Sequence, residues 1–212
     1  MAVLPMFPLG TVLLPHMPLS LRIFEERYLK LLGDLIAEEK PEFGVVLISK
    51  GPEVGGGEKR FDFGTIAAVT EIGTTDEFYG LQSVGAQRFK VVGWLPDDPY
   101  PLADIEFLPE LKWQESLSDL REHVEDKVRK LLAFASEFGD LQYDSDTQLS
   151  SEPIEACWQL AGILPIGQLD QIDLLKSNSP EELLNQILEI TLRSEQTLKA
   201  LMAEMPDEDP EL

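Results

Sequence analysis

Two histidines, His16 and His123, and one cysteine, Cys157, are the only side chains of this sequence that could act as an imidazole base or a thiolate. Ser83, in Gly80-Leu81-Gln82-Ser83-Val84-Gly85, has the outline of a nucleophile elbow, but the first glycine belongs at position 81. His16 follows Pro15 in a loop, and His123 falls in a strongly acidic helical segment. Neither stands beside a nucleophile in the chain, so Ser–His or Cys–His catalysis is not expected. The glycine-rich stretch Gly51–Arg60 resembles a phosphate cradle only in composition. A P-loop starting at Gly51 needs lysine at 57, where Gly57 stands, and a dinucleotide fingerprint starting at Gly55 needs glycine at 60, where Arg60 stands. Asp144, Asp146 and Glu155 take positions one, three and twelve of a calcium loop. Leu149 replaces its turn glycine, Gln148 holds position five and Pro153 interrupts it. One cysteine and two distant histidines cannot make a zinc site, and no carboxylate pair stands out by spacing. The chain is read as a non-enzyme with no metal and no cofactor.

The charge narrows the partners. Seventeen Lys and Arg face 39 Asp and Glu, a net charge of −22, and such a field repels phosphate backbones and anionic headgroups. Nucleic acid and membrane are therefore not expected partners. Met1–Leu21 is apolar, yet no Lys or Arg precedes Arg22, and Pro5, Pro8, Pro15 and Pro18 interrupt it, so it does not read as a signal peptide. With one cysteine and no internal disulfide, a reducing, cytoplasmic setting fits best.

The elements that would position any site change character near residue 110. Before it, short runs rich in Val, Ile, Phe and Thr predict strands at Val3–Phe7, Val12–Leu14, Leu19–Ile23, Phe43–Ser49, Phe61–Ile72, Tyr79–Gly85, Arg88–Leu95 and Ala103–Leu108. Phe24–Glu38 carries Tyr28, Leu31, Leu32, Leu35 and Ile36 at helical spacing, predicting one helix on a mostly antiparallel sheet or barrel. Beyond 110, Leu117, Leu120, Val124, Val128, Leu131, Leu132 and Ala135 predict a long helix, with others at Glu155–Gly162 and Gln168–Leu175. The last starts where Ser179 caps, Pro180 takes the first helical position and Glu182 completes a capping box. Its stripe runs from Leu184 through Ile187, Leu188, Thr191 and Leu198 to Leu201 and Met202. The expected fold class is α+β: a strand-rich subdomain at 1–112, a helical bundle at 113–204, and a disordered acidic tail at 205–212. Gly51–Arg60 is expected to be a mobile loop. The first long helix carries Leu117, Val124, Leu131 and Phe138 on a broad apolar face that the helices after it are too few to cover alone, so part of the bundle is expected to dock on the strands.

Several ordered motifs carry a resemblance. Leu4-Pro5-Met6-Phe7-Pro8-Leu9, Val12-Leu13-Leu14-Pro15 and Leu19-Ser20-Leu21-Arg22-Ile23-Phe24-Glu25-Glu26-Arg27-Tyr28 are followed by Phe43-Gly44-Val45-Val46, Gly64-Thr65-Ile66-Ala67, Gly85-Ala86-Gln87-Arg88-Phe89 and Pro99-Tyr100-Pro101-Leu102-Ala103. Together they resemble the Lon N-terminal, or Lon substrate-binding, domain, over about residues 2–110 and more weakly to about 203. The resemblance implies a pseudo-barrel followed by a helical bundle. The 212 residues contain neither the ATPase nor the serine–lysine protease module of full Lon proteases, so the chain reads as a stand-alone member. Many relatives have Pro-Gly where this chain has Pro15-His16. Gly44, Gly64 and Gly85 read as positions where a side chain would clash, and Phe24, Tyr28, Phe89 and Tyr100 as core. Arg88 and Glu25 either pair with each other or cap backbone.

What the resemblance implies is a non-enzymatic module recognising exposed or unfolded polypeptide segments, an adaptor or chaperone-like factor whose partners are partly folded chains and a separate protease. Extended segments can add to a sheet edge while apolar side chains enter grooves. Candidate contacts are Met17 and Leu19 in the proline-rich loop, Phe78 and Tyr79 near a hairpin tip, and Trp94 and Tyr100 flanking Pro96-Asp97-Asp98-Pro99. The alternative is a small carboxylate-based hydrolase or ligand-binding enzyme with its pocket between barrel and bundle, marked by a buried carboxylate of raised pKa.

Overall fold

The structure, a computed structural model, describes residues 2–74 and 78–204. The acidic tail expected at 205–212 lies outside the described residues. Six strands precede the bundle: β1 (Ala2–Leu9), β2 (Pro18–Ile23), β3 (Glu42–Lys50), β4 (Lys59–Thr74), β5 (Tyr79–Trp94) and β6 (Leu102–Phe107), with α1 (Glu26–Ile36) between β2 and β3. A short 3-10 turn at Glu115–Leu117 leads into α2 (Ser118–Ala135), α3 (Pro153–Ile163), α4 (Gln168–Leu175) and α5 (Pro180–Glu204).

The hydrogen-bonded order is β2-β5-β4-β3-β1-β6, and β6 also pairs with β5. All pairings are antiparallel except β1 with β3. The long strand β5 is shared. Its first half, Tyr79–Val84, pairs with β2, and its second half, Phe89–Trp94, pairs with β6. A pseudo-barrel results, with β2 left as an edge. Inside lie Met6, Val46, Ile66, Phe89, Val91, Ala103 and Ile105. Alternation along β5, which buries Leu81, Ser83 and Gly85 and turns Gln82 and Val84 out, is the period-two pattern of a strand with one covered face.

Two strand expectations change. Val12–Leu14 is irregular, although Leu13 and Leu14 are buried. Pro15 follows it directly, and proline gives no ladder donor. Tyr79–Gly85 and Arg88–Leu95 are one strand, because Gly85 does not break the ladder. A Cβ there would lie 2.1 Å from the Leu14 carbonyl oxygen, so glycine admits the passing chain. The Pro15-His16 turn crosses at this point, with His16 N donating to Gly85 O and Gly85 N to Met17 O. His16 holds φ 61, the left-handed conformation that glycine takes freely and a histidine takes with strain.

The loop over Gly51–Arg60 is tied at several points. Gly51, Gly55, Gly56 and Gly57 all have positive φ. Glu53 accepts from Gly10 N, Glu25 accepts from Gly55 N, and buried Glu58 binds Arg60.

One apolar cluster runs without interruption from the strands into the helices, joining Leu14, Met17 and Leu31 to Trp158, Leu160 and Leu184. The elements at the seam are α3 and α4. Met17 packs where Gly162 of α3 has no side chain, and α4 meets β4. The long helix α2 packs chiefly along α5, and Phe138 is 44% exposed, stacked edge-on by Phe134. On α5 the buried stripe stops short, since Leu201 and Met202 are exposed where the helix outruns its neighbours. Ser179 caps α5 as expected, accepting from Glu182 N, but the Glu182 carboxylate reaches Asn178 N rather than closing the box on Ser179.

Candidate functional site

The groups that could do covalent chemistry are engaged in the fold. Ser83 donates its hydroxyl to Leu19 O inside the β2–β5 ladder. Cys157 is buried in α3, and desolvation pushes its thiol up to about 11, away from the thiolate needed for attack. His16 Nδ1 faces Glu155 at 3.7 Å, and His123 is exposed on α2. Among the described residues no group of three or more His, Cys, Asp or Glu gathers to hold a metal ion, and no helix is long and apolar enough to cross a membrane.

Two other features have the geometry of binding sites. The first is β2. Among the described residues it pairs only with β5, so alternate backbone N–H and C=O groups on its far side have no described strand partner. Instead of a strand, two cavities lie along that strand. One of about 340 Å³ is lined by Pro18, Leu19 and Ser20 together with Met17, Tyr143 and Thr11–Leu14. The other, of about 170 Å³, is lined by Leu21–Glu25 with Phe7, Leu9, Tyr28 and Val54. The opposite wall is thus the end of β1 and the chain that follows it. Six residues of strand span roughly 20 Å at about 3.3 Å each, room for an extended segment of similar length. At the far end the surface is apolar: Phe24 is 58% exposed and Val54 53%. This corrects the core assignment of Phe24. The residue sits just before α1, whose buried face begins at Tyr28, stacked on Phe7 at 3.8 Å.

The second feature is a cavity of about 500 Å³ at the seam, lined from the barrel by Ile66, Arg88 and Phe107 and from α3 by Ile154 and Trp158. Arg88 is 5% exposed and, among the described residues, makes no ion pair, Glu182 acting on it only at a distance. It takes the second of the two roles open to it, donating to Leu175 O, Ser177 O and Pro109 O at 2.6, 2.7 and 2.9 Å, with Trp158 stacked 4.9 Å from its carbon. Burial lowers its pKa to about 10. Glu25 binds Arg27 instead.

Of the residues singled out by sequence, Met17 and Leu19 are buried yet line the larger β2 cavity. Tyr79 is 42% exposed and pairs across the ladder with Ile23, and Phe78 carries Arg22 over its ring at 5.1 Å. Trp94 and Tyr100 are elsewhere. Arg60 lies over Trp94 at 4.4 Å and binds Asp97, while the Tyr100 hydroxyl donates to Asp34 at 2.9 Å; desolvation and this bond raise the Tyr100 pKa, and the Lys30 ammonium first and Tyr100 second lower that of Asp34. Both pin the loop between β5 and β6 to its surroundings. Sequence reasoning missed Phe24 and Val54. Phe24 was visible as an aromatic one residue ahead of a helix stripe it does not join.

The fold is shared with solved structures. The Lon N-terminal domain protein from Xanthomonas campestris matches with a TM-score of 0.62 at 24% identity, covering 97% of this chain and 100% of that one. The N-terminal domain of the Mycobacterium avium complex Lon protease matches with a TM-score of 0.63 at 13% identity, covering 90% of this chain and 98% of that one. The sequence profile described as the ATP-dependent protease La (LON) substrate-binding domain matches residues 3–193, nearly the whole described fold, and the chain belongs to that family.

Proposed function

We propose that this chain is a polypeptide-binding module that takes extended, partly apolar segments along the free edge of β2, without catalysing a reaction on them. The observation carrying this reading is the edge of β2 that no described strand pairs, flanked by two cavities along its length and ending in exposed Phe24 and Val54. Backbone pairing to β2 would give affinity without regard to sequence, and the cavities would favour apolar side chains at alternate positions. The family supports it, since its members are substrate-binding domains. Within this reading the chain acts as an adaptor or chaperone-like factor that holds partly folded chains for a separate protease. The hydrolase alternative gains no support from the seam cavity, whose carboxylates, Glu42 and Glu110, are both exposed.

Fluorescence anisotropy with a labelled, permanently unfolded model protein tests the proposal. Binding should weaken at least tenfold in a Phe24→Ser, Val54→Ser double variant, and backbone N-methylation of a short bound peptide should weaken it similarly. No binding at high protein concentration, or binding indifferent to both changes, would remove the reading.

A further inference from the structure

The seam cavity shares no residue with the two cavities along β2, and the inference drawn from it does not depend on polypeptide binding. Its chemistry is specific. At the inner wall is a buried guanidinium that makes three hydrogen bonds, all to backbone carbonyls, from a group with five N–H donors. Those carbonyls satisfy donors but carry no formal charge, and the Glu182 carboxylate acts on the guanidinium only at a distance, without an ion pair. Beside it stands the face of Trp158, and Ile154 and Phe107 add apolar wall. Glu42 and Glu110, both exposed, supply carboxylates to the same lining, and among the described residues neither is held in an ion pair.

From the juxtaposition of buried Arg88, the Trp158 face and the free carboxylates of Glu42 and Glu110 in one cavity of about 500 Å³, we propose a binding site for a free amino acid with a large apolar side chain. The ligand's carboxylate meets the Arg88 guanidinium, its side chain lies against Trp158 and Ile154, and its ammonium faces Glu42 and Glu110. The volume lies within the range of ordinary ligand pockets. A simple anion fits poorly, because the chain carries a net charge of −22 and the lining itself holds two carboxylates. A zwitterion answers both charges. Since barrel and bundle both line the cavity, bound ligand would also stabilise the seam, raising the melting temperature by mass action.

Calorimetric titration and thermal melts of the full chain with L-phenylalanine read this out directly. A ligand of this size is expected to bind with a dissociation constant of about 1 mM or tighter. 3-Phenylpropanoate and N-acetylphenylalanine, which lack the ammonium, and phenethylamine, which lacks the carboxylate, should each bind at least tenfold more weakly. Glu42→Gln with Glu110→Gln, two exposed changes that leave the core alone, should weaken phenylalanine about tenfold without weakening 3-phenylpropanoate. Ile154→Trp, which fills the cavity, should abolish binding. Absence of heat and of any thermal shift with phenylalanine near its solubility limit would overturn the proposal. So would N-acetylphenylalanine binding as well as the free amino acid, which would point to the end of a peptide chain, or phenylalanine binding unchanged in Ile154→Trp.

Discussion

Replacing Arg88 by methionine tests whether a single side chain fastens the bundle to the barrel. Arg88 stands on β5, and its carbonyl partners Leu175 and Ser177 lie 87 and 89 residues further along the chain, at the end of α4. Methionine keeps the volume and the contact with Trp158 but leaves the carbonyls of Leu175, Ser177 and Pro109 without their donor. Hydrogen bonds to a charged group contribute about 1.5–3 kcal/mol each. Part of that is offset, because methionine no longer requires a buried cation. The cost of that cation shows in the fall of the Arg88 pKa from 12.5 to about 10, worth about 3 kcal/mol at 1.36 kcal/mol per unit. The net expectation is a loss of about 3–4 kcal/mol, which for a chain of this size lowers the melting temperature by about 10 °C. Arg88→Lys should fall between, since one ammonium keeps the charge but lacks the planar fork that reaches three carbonyls. Urea unfolding followed by far-ultraviolet dichroism and by tryptophan fluorescence measures both. The two signals should coincide in the unchanged protein, because one apolar core spans both parts. A loss below about 1 kcal/mol for Arg88→Met, or a lysine variant no different from wild type, would refute the reasoning.

Gly85→Ala should prevent stable folding or cost more than about 3 kcal/mol, judged by yield and urea midpoint, because its Cβ would sit 2.1 Å from the Leu14 backbone oxygen. His16→Gly should raise stability by about 0.5–1 kcal/mol, since φ 61 strains a histidine and its 3.7 Å contact with Glu155 is weak; a fall in the urea midpoint would refute it. Native Cys157 should resist thiol reagents at pH 8 and react at the rate of unfolding, its thiol being buried with a pKa of about 11. A folded-state pKa raised from 9.0 to about 11 favours the protonated thiol. The stability from Cys157, about 2–3 kcal/mol at 1.36 kcal/mol per unit, is therefore complete below the unfolded value and lost as pH rises from about 9 to about 11. Chemical melts of Cys157→Ala across that range should show a flatter decline than the unchanged protein.

Local pattern carried much of this architecture. A stripe such as Leu31, Leu32 and Leu35 on α1, or Val124, Val128 and Leu131 on α2, repeats at the helical period whatever it packs against, so its helix could be read from the chain alone. Pro180 and Ser179 marked the start of α5 for the same reason, since a cap is made by residues within one turn. The ordered motifs from Leu4 to Ala103 were enough to suggest the family. What sequence could not decide was which apolar positions would be covered. Phe24 is as hydrophobic as Tyr28, yet one is exposed and the other lies against Phe7, because burial depends on what the topology brings over each. The free edge of β2 arises because β5, much further along the chain, takes β2 on its first half while its second half pairs with β6, so no described strand is left for the far side of β2. The role of Arg88 was open for the same reason. Its partners are main-chain carbonyls, which every residue possesses, so no residue type advertised them, and only the close approach of α4 to β5 selected Leu175 and Ser177.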